Sequence, residues 1–525
     1  MTNGRILFIR EREFARSNVI NYGMALVATA ASKAFSVRAI DNNGLYRLYS
    51  HDDIAAEVEH FRPDVIGLSI ITANALTSYE TAEMLKRRFP DIPILAGGLH
   101  VSHQVGEALE SGIDYVVRGE ADLTIVPLLS ALVEARDRGM PPDFTGIAGV
   151  SHGRGEAFVD GGNATLPLNL DEHSDVDFGL YDLGDFYRHP RDSLAIGSVL
   201  TQRGCPFRCT FCSDQYLSQS VRYRSIARSV DEIEDKLDRF GVNIFNIRDA
   251  DFTMHNERVV EFCNELIRRG LHNRINLTIE TDSFRVIPRD TLALMKQSGF
   301  SSIGFGIERL TPEIQRRIKK NISRSRIMEN LKNCRELGFV ISVHCLIGFS
   351  FDTMEDIARE QALFDELADQ YVDIVSASIV VACPGTSEFS AVPPERSSWY
   401  LNPSAFPSRR PLYQVVRRFQ YDPRHVPIYD FPPGMMERMM DFRDHFRKKT
   451  IGKRGRPLLW AYLLMLQIAR LSEALYAASP RLERATFGWT LDWLETLNAI
   501  FTKLWAKRND DRVNANHSCG QTPQP

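Results

Sequence analysis

Cysteine is scarce in this chain, with 8 among 525 residues. A secreted disulfide scaffold is denser in cysteine and spreads it through the fold, so that class is excluded. Reduced thiols fit a cytoplasmic protein. An excess of one charge is also missing: 63 Lys and Arg face 67 Asp and Glu, for a formal net charge of −4. That balance offers no electrostatic footprint for nucleic acid. A bilayer-spanning apolar run is missing too. The stretch from Pro457, "PLLWAYLLMLQIARLSEALYAASP", is continuously apolar only to Gln467, short of the ~20 residues a span needs. The start, "MTNGRILFIRERE", has no apolar core of signal-peptide length, so no export signal is expected. No internal repeat is found.

What is present is ordinary in bulk. Apolar content is 44 % and charged content 25 %, as in soluble globular proteins, and the length implies roughly two to four domains. Residues 1–150 alternate short strand-like runs with helical patterns. The strands are expected at 5–9, 36–40, 64–70, 93–97 and 114–117, and a helix at 78–89. Such alternation predicts a parallel sheet covered by helices, with ligands at the carboxyl ends of the strands. Those ends carry Ser69 and Thr72 in "SIIT", Gly97, Gly98 and His100 in "GGLH", and Gly119 and Glu120 in "RGE". Residues 151–193 read as a linker with at most a hairpin. Six further strands, at 195–202, 243–249, 276–282, 302–308, 340–348 and 373–381, alternate with helices over 194–390. That pattern predicts a partial (β/α) barrel whose chemistry sits at the carboxyl ends of its strands. Residues 391–510 read as a helical C-terminal region and 511–525 as a disordered tail. Lys448, Lys449, Lys453, Arg454 and Arg456 precede the apolar helix at 458–469. This is the pattern of a peripheral membrane contact over 448–470, and equally that of a packed helix with a solvated basic turn, which its length favours.

Three of the eight cysteines share one short loop, "LTQRGCPFRCTFCSD". Cys205, Cys209 and Cys212 lie on it just after the first barrel strand. Thiolate is the usual ligand of iron–sulfur clusters. Three of them leave one iron of a cubane cluster open, where a substrate or cofactor binds. A structural zinc site wants a fourth ligand, and no His lies within the loop.

The C-x3-C-x2-C loop, with Phe211 just before its third Cys, resembles the radical S-adenosylmethionine (SAM) family. The resemblance implies a [4Fe–4S] cluster held by Cys205, Cys209 and Cys212, with SAM chelated by the open iron and cleaved to a radical that abstracts hydrogen from an unreactive carbon. "IRDADF" (247–252), "SIGFGIE" (302–308), "CLIGFSFDTMED" and "ACPGTSEF" (382–389) are similar to later segments of the family. They imply SAM contacts at Phe211, Asp249 and Glu308. Read alone, Asp249 and Asp251 are strand-end turn residues and Glu308 a carboxylate near a helix N-terminus. Arg309 stands where the family usually has Ser, and Ser350 where it usually has Pro.

A flavodoxin-like (Rossmann-like) domain ahead of such a barrel resembles the cobalamin-binding radical SAM enzymes, of the class whose members methylate unactivated carbons. Cobalamin is then implied at Ser69, Thr72, Gly97, Gly98, His100, Gly119 and Glu120. Read alone, the glycines are an ordinary tight turn, and a His at a strand end is more often a hydrogen-bonding residue than a metal ligand. No D-x-H-x-x-G motif follows the first strand, so no lower ligand to cobalt is assigned. The class implies methyl transfer to a small-molecule or lipid-like substrate, with an electron donor such as flavodoxin or ferredoxin. Cyclisation, ring contraction and a non-catalytic cobalamin or redox sensor are the competing readings. Methylthiotransfer to tRNA is disfavoured, because the first 200 residues hold no Cys. The isolated Cys263, Cys334, Cys345, Cys383 and Cys519 read as small apolar residues.

Overall fold

The computed structural model describes residues 4–13, 19–44, 47–172, 176–186, 196–213, 220–405, 421, 423, 424 and 426–453. Contacts divide the chain into two units. One holds Met1–Glu280, Ile318–Lys320 and Val381–Asn402; the other holds Thr281–Arg317, Asn321–Val380 and Pro403–Pro525.

The first unit begins with five parallel strands, β1 (Arg5–Arg10), β2 (Ser36–Asp41), β3 (Val65–Ser69), β4 (Ile94–Gly97) and β5 (Tyr115–Val117). Each falls on a run expected from sequence. Four residues of "RILFIR", Ile6 to Ile9, are almost fully buried, because helices cover both faces of the sheet and leave no polar side. The strand order is β2-β1-β3-β4-β5-β6. β1 therefore lies between β2 and β3, which is the switch point where doubly wound sheets bind ligands. The covering helices carry their own start signals. Ser50 and Asp53 form a capping box at His51–Phe61, which satisfies two otherwise orphan N–H groups. The expected linker adds a sixth strand, β6 (Val150–His152), antiparallel to β5 with Tyr115 opposite His152. His152 then bridges to Val159 as a short hairpin. Further on, Phe178, Tyr181 and Phe186 are buried, and the Asp177 N–H donates to Thr29 Oγ1 at 2.9 Å. This stretch packs where a polar linker was expected, because aromatic residues are spaced through its Gly and Asp.

The second sheet follows the expected strands closely: β7 (Ile196–Val199), then the hairpin strands β8 (Gln202–Arg203) and β9 (Arg222–Tyr223), then β10 (Ile244–Ile247), β11 (Asn276–Thr281), β12 (Phe300–Glu308), β13 (Val340–Ile347) and β14 (Ile374–Ile379). Its order is β14-β13-β12-β11-β10-β7. The ladders of β10 with β7 and β11, and of β13 with β12 and β14, are parallel. Sequential order with a helix after each strand is the connectivity of a partial (β/α)6 barrel.

In the second unit the helix Met435–Gly452 packs on β14 and on the helix Met354–Gln370. Phe446 meets Phe364 with ring centroids 6.2 Å apart. Two of the basic residues that suggested a membrane contact are used internally. Lys449 pairs with Asp365 at 2.6 Å, and Lys453 donates to the carbonyls of Ala368 and Val372. The Ala368 carbonyl is one of those left free at the negative dipole end of the helix Met354–Gln370, and Val372 lies just past that end. Among the described residues no helix is long and apolar enough to cross a membrane. The apolar helix at 458–469, the tail after Asp510, and Tyr413, Arg409, Arg410, Arg417 and Arg418, aromatic and basic residues whose sequence pattern suits a planar, acidic or lipid-like molecule and equally an ordinary helical surface, lie outside the described residues.

Candidate cofactor site

The cysteine loop is the segment between β8 and β9, whose Arg203 and Arg222 are register partners. Cys209 is buried, Cys205 and Cys212 are half-buried, and none of the three forms a disulfide among the described residues. Among the described residues no three His, Cys, Asp or Glu side chains are preassembled around a metal position. The fit to an iron–sulfur cluster therefore rests on the donor set, three soft sulfur ligands on one loop. The Thr210 N–H donates to the Ile318 carbonyl at 3.1 Å and its hydroxyl donates to Glu388 at 3.2 Å. The Phe211 ring lies 5.8 Å from Lys320 Nζ, a cation–π contact.

Asp249, expected at SAM, has both carboxylate oxygens committed to the chain entering this loop. Oδ1 accepts from the N–H groups of Thr201 (2.7 Å) and Gln202 (3.2 Å), and Oδ2 accepts from the Thr201 hydroxyl at 2.5 Å. Burial pushes its carboxyl up to about 6, and these hydrogen bonds pull the other way. The folded state thus holds this proton more tightly than the unfolded chain does. The group's contribution to folding falls as pH rises from about 4 to about 6, while its grip on Thr201 strengthens over the same range. Reconstituted protein is therefore expected to keep its iron above about pH 6 and to lose it faster below, with Asp249→Ala losing it at any pH. Iron per chain after desalting across a pH series checks this. A wild-type loss curve centred near pH 4 contradicts it. Asp251 is buried beside it, and its carbonyl accepts from Gln202 Nε2 at 2.7 Å.

The carboxyl ends of β3, β4 and β5 gather the residues expected at cobalamin. The Ser69 carbonyl accepts from Asn74 Nδ2 at 3.1 Å. A side chain at Gly97 would meet nothing nearer than the Val117 carbonyl at 3.8 Å, so a flat group can approach the backbone there. Gly98 serves a different end. Its φ is +115°, and a Cβ would lie 2.4 Å from the Ile70 carbonyl, a position only glycine fills. The Gly119 N–H donates to Ser102 Oγ at 3.0 Å. Glu120 gives both carboxylate oxygens to Arg203 and Arg222.

His100 is fully buried with both ring nitrogens engaged. Nε2 lies 3.0 Å from Glu107 and Nδ1 lies 3.2 Å from Thr72 Oγ1. Burial alone would raise the Glu107 carboxyl, but hydrogen bonds from His100, Tyr400 and Tyr79 hold it below the usual range. An ionised Glu107 makes Nε2 the donor, so Nδ1 accepts from the Thr72 hydroxyl. The imidazole thus orients Thr72, and both its nitrogens are used within the protein. Tyr400 joins from the 381–402 segment. Its hydroxyl donates to Glu107 at 2.8 Å, and its ring stands edge-on to His100.

The same segment touches both halves of the site. Burial pushes the Cys383 thiol up to about 11, and its hydrogen bond with Thr72 pulls the other way. Gly385, in "PGT", lies so close to His103 that a Cβ would meet the ring at 2.4 Å. Ser102, His103 and Arg118 face Gly385, Thr386 and Phe389 across a cleft of about 410 Å³. Sequence reasoning missed Glu107, Asp122, Arg203, Arg222 and Cys383. Only Asp122, two positions past Glu120 in "RGEAD", carried a local signal.

In the second unit Glu308 ends β12 at a bulge, buried, with φ at +62°. A non-glycine residue held there is uncommon, and bulges re-aim side chains beside active sites. Arg309 turns inward instead. It is fully buried and pairs with Asp352, so the exchange of the family's Ser for Arg is answered by an internal partner.

Comparison with known proteins gives a match of the radical SAM superfamily to residues 199–361 and of a B12 binding domain to residues 15–129. An uncharacterized methyltransferase of Pyrococcus horikoshii is 27 % identical over 69 % of this chain and 76 % of its own length. The anaerobic magnesium-protoporphyrin IX monomethyl ester cyclase of Cereibacter sphaeroides is 26 % identical over 59 % of this chain, and the match spans only 50 % of that enzyme. Among solved structures, the radical SAM methyltransferase TsrM of Kitasatospora setae superposes with a TM-score of 0.60 at 18 % identity, covering 74 % of this chain and 76 % of that one, a likeness of fold.

Proposed function

Because the chain belongs to the cobalamin-binding radical SAM enzymes, with a [4Fe–4S] cluster, SAM and cobalamin as its cofactors, we propose that it methylates an unactivated carbon of a small-molecule natural-product or lipid precursor. Reduced cluster and SAM supply a radical able to take hydrogen from such a carbon, and cobalamin supplies a transferable methyl group. The observation that carries the reading is contact between the two sets of residues. Glu120, at the edge expected to face the corrin, is paired with Arg203 and Arg222, which flank the cysteine loop. Methyl transfer to carbon needs both cofactors at one substrate atom, and this pairing supports a reading in which their binding loops work together. Cys205, Cys209 and Cys212 would hold the cluster, Asp249 and Thr210 fix the loop, and Ser69, Thr72 and Gly97 offer the surface for the corrin. Glu308 is proposed at SAM, and the polar cleft at His103 and Arg118 at substrate. A flavodoxin- or ferredoxin-type protein is the proposed electron source.

Cyclisation is the second reading, favoured by the match to the Cereibacter enzyme, over a smaller share of both chains. One experiment separates the two. Reconstituted protein is incubated anaerobically with reductant, hydroxocobalamin and methyl-deuterated SAM in the presence of a small-molecule and lipid extract. Methyl transfer predicts S-adenosylhomocysteine and 5′-deoxyadenosine together, and a product carrying the deuterated methyl group. Deoxyadenosine with neither of the others favours cyclisation and sinks the methyl reading.

A further inference from the structure

Arg203 and Arg222 stand directly opposite each other in the β8–β9 ladder. Like charges so placed repel, and a ladder of two residues per strand has little strength of its own. The anions that meet them come from the loop after β5, on the other sheet of the same unit. Arg203 Nη1 lies 2.9 Å from Glu120 and 2.9 Å from Asp122, and its Nη2 reaches Asp122 at 2.9 Å. Arg222 holds Glu120 with both terminal nitrogens and also donates to the Pro167 carbonyl. Side-chain exposure is 8 % for Arg203, 5 % for Arg222 and 6 % for Asp122. Two cations and two anions balance, and removing either anion strands a buried cation. Burial alone would raise the Glu120 carboxyl, yet hydrogen bonds and charge from Arg222 and Arg203 hold it low.

We propose that Glu120 and Asp122 are positioning residues for the cluster, an ionic latch that keeps the two ends of the cysteine loop together. The loop closes only while the corrin-side segment 118–122 stands beneath it. Binding at the cobalamin edge is therefore felt at the cluster, and by linkage the reverse holds equally. The coupling rests on the reading that this unit binds both cofactors; the latch itself does not.

The test uses the full chain reconstituted with iron and sulfide. Iron release to an iron(II) chelator is followed by absorbance. Glu120→Gln and Asp122→Asn are expected to release iron at least tenfold faster than wild type, and Glu120→Asp at an intermediate rate. Asp235→Asn, which removes an exposed pair with Arg239, is expected to match wild type. In wild type, hydroxocobalamin is expected to shift the electron paramagnetic resonance spectrum of the reduced cluster, and in Glu120→Gln to leave it unchanged. Circular dichroism melting shows which variants fold, and Arg222→Lys stands in if Glu120→Gln does not. Wild-type release rates in the folded variants overturn the latch. Faster release in a protein whose wild type retains no hydroxocobalamin upholds the latch, overturns the coupling, and counts against the proposed function alone.

Discussion

Exchange of any one of Cys205, Cys209 and Cys212 for Ala is expected to abolish SAM cleavage to background and to leave the reconstituted protein without a stable cluster. The three thiols lie on one loop, and a cubane cluster tethered through three irons has no ligand to spare. Cys383 provides the control. It is hydrogen-bonded to Thr72 and comes from a separate segment far past the cysteine loop. Cys383→Ala is expected to keep full iron content, with any loss confined to the corrin side. Iron and sulfide per chain and the 5′-deoxyadenosine yield decide the matter. Loss of iron in Cys383→Ala with retention in one of the other three would reassign the ligand set.

Arg309→Met is expected to destabilise its unit by about 3–5 kcal/mol, the cost of breaking a buried ion pair and leaving one charge behind. Both side chains are completely buried. Asp352 also accepts from the N–H groups of Gly348 (2.7 Å) and Phe349 (3.2 Å), so it is built into the turn after β13. The Arg309 guanidinium lies 5.3 Å from the Phe349 ring centroid and caps that turn from above. Without it, Asp352 either stays charged in an apolar setting or takes up a proton, and both courses cost stability. Adding Asp352→Asn to Arg309→Met is expected to recover much of the loss, because no lone charge then stays buried. Thermal unfolding, with amide hydrogen exchange followed over 300–352, measures both steps. A double variant as unstable as the sum of the two single ones would show that the pair is not the cause.

The strands were legible because a parallel sheet covered on both faces writes itself as short apolar runs. "RILFI" and "DVIGLSI" declared β1 and β3 without help from distant residues. The packed stretch at 176–186 was not legible, since its Gly and Asp hide three aromatic residues that find their core only against other elements. The cysteine trio was legible as a candidate ligand set because a tethered metal site needs its donors close in sequence. Asp249 and Glu120 were both picked out as functional. What they touch was not readable, for Asp249 reaches 48 residues back to Thr201 and Glu120 reaches 102 residues forward to Arg222.

By itself, then, the sequence determined the two α/β regions and their order and marked three cysteines as candidate cluster ligands, all features written within a few residues by backbone periodicity and ligand spacing. Tertiary structure alone decided the rest. It turned Glu120 toward a pair of arginines, gave both nitrogens of His100 to Thr72 and Glu107, brought Tyr400 onto that His, and set Cys383 beside Thr72. Each of these is a charge or polar group that must find a partner once buried. Which partner it finds depends on the segments that the topology carries to the same place.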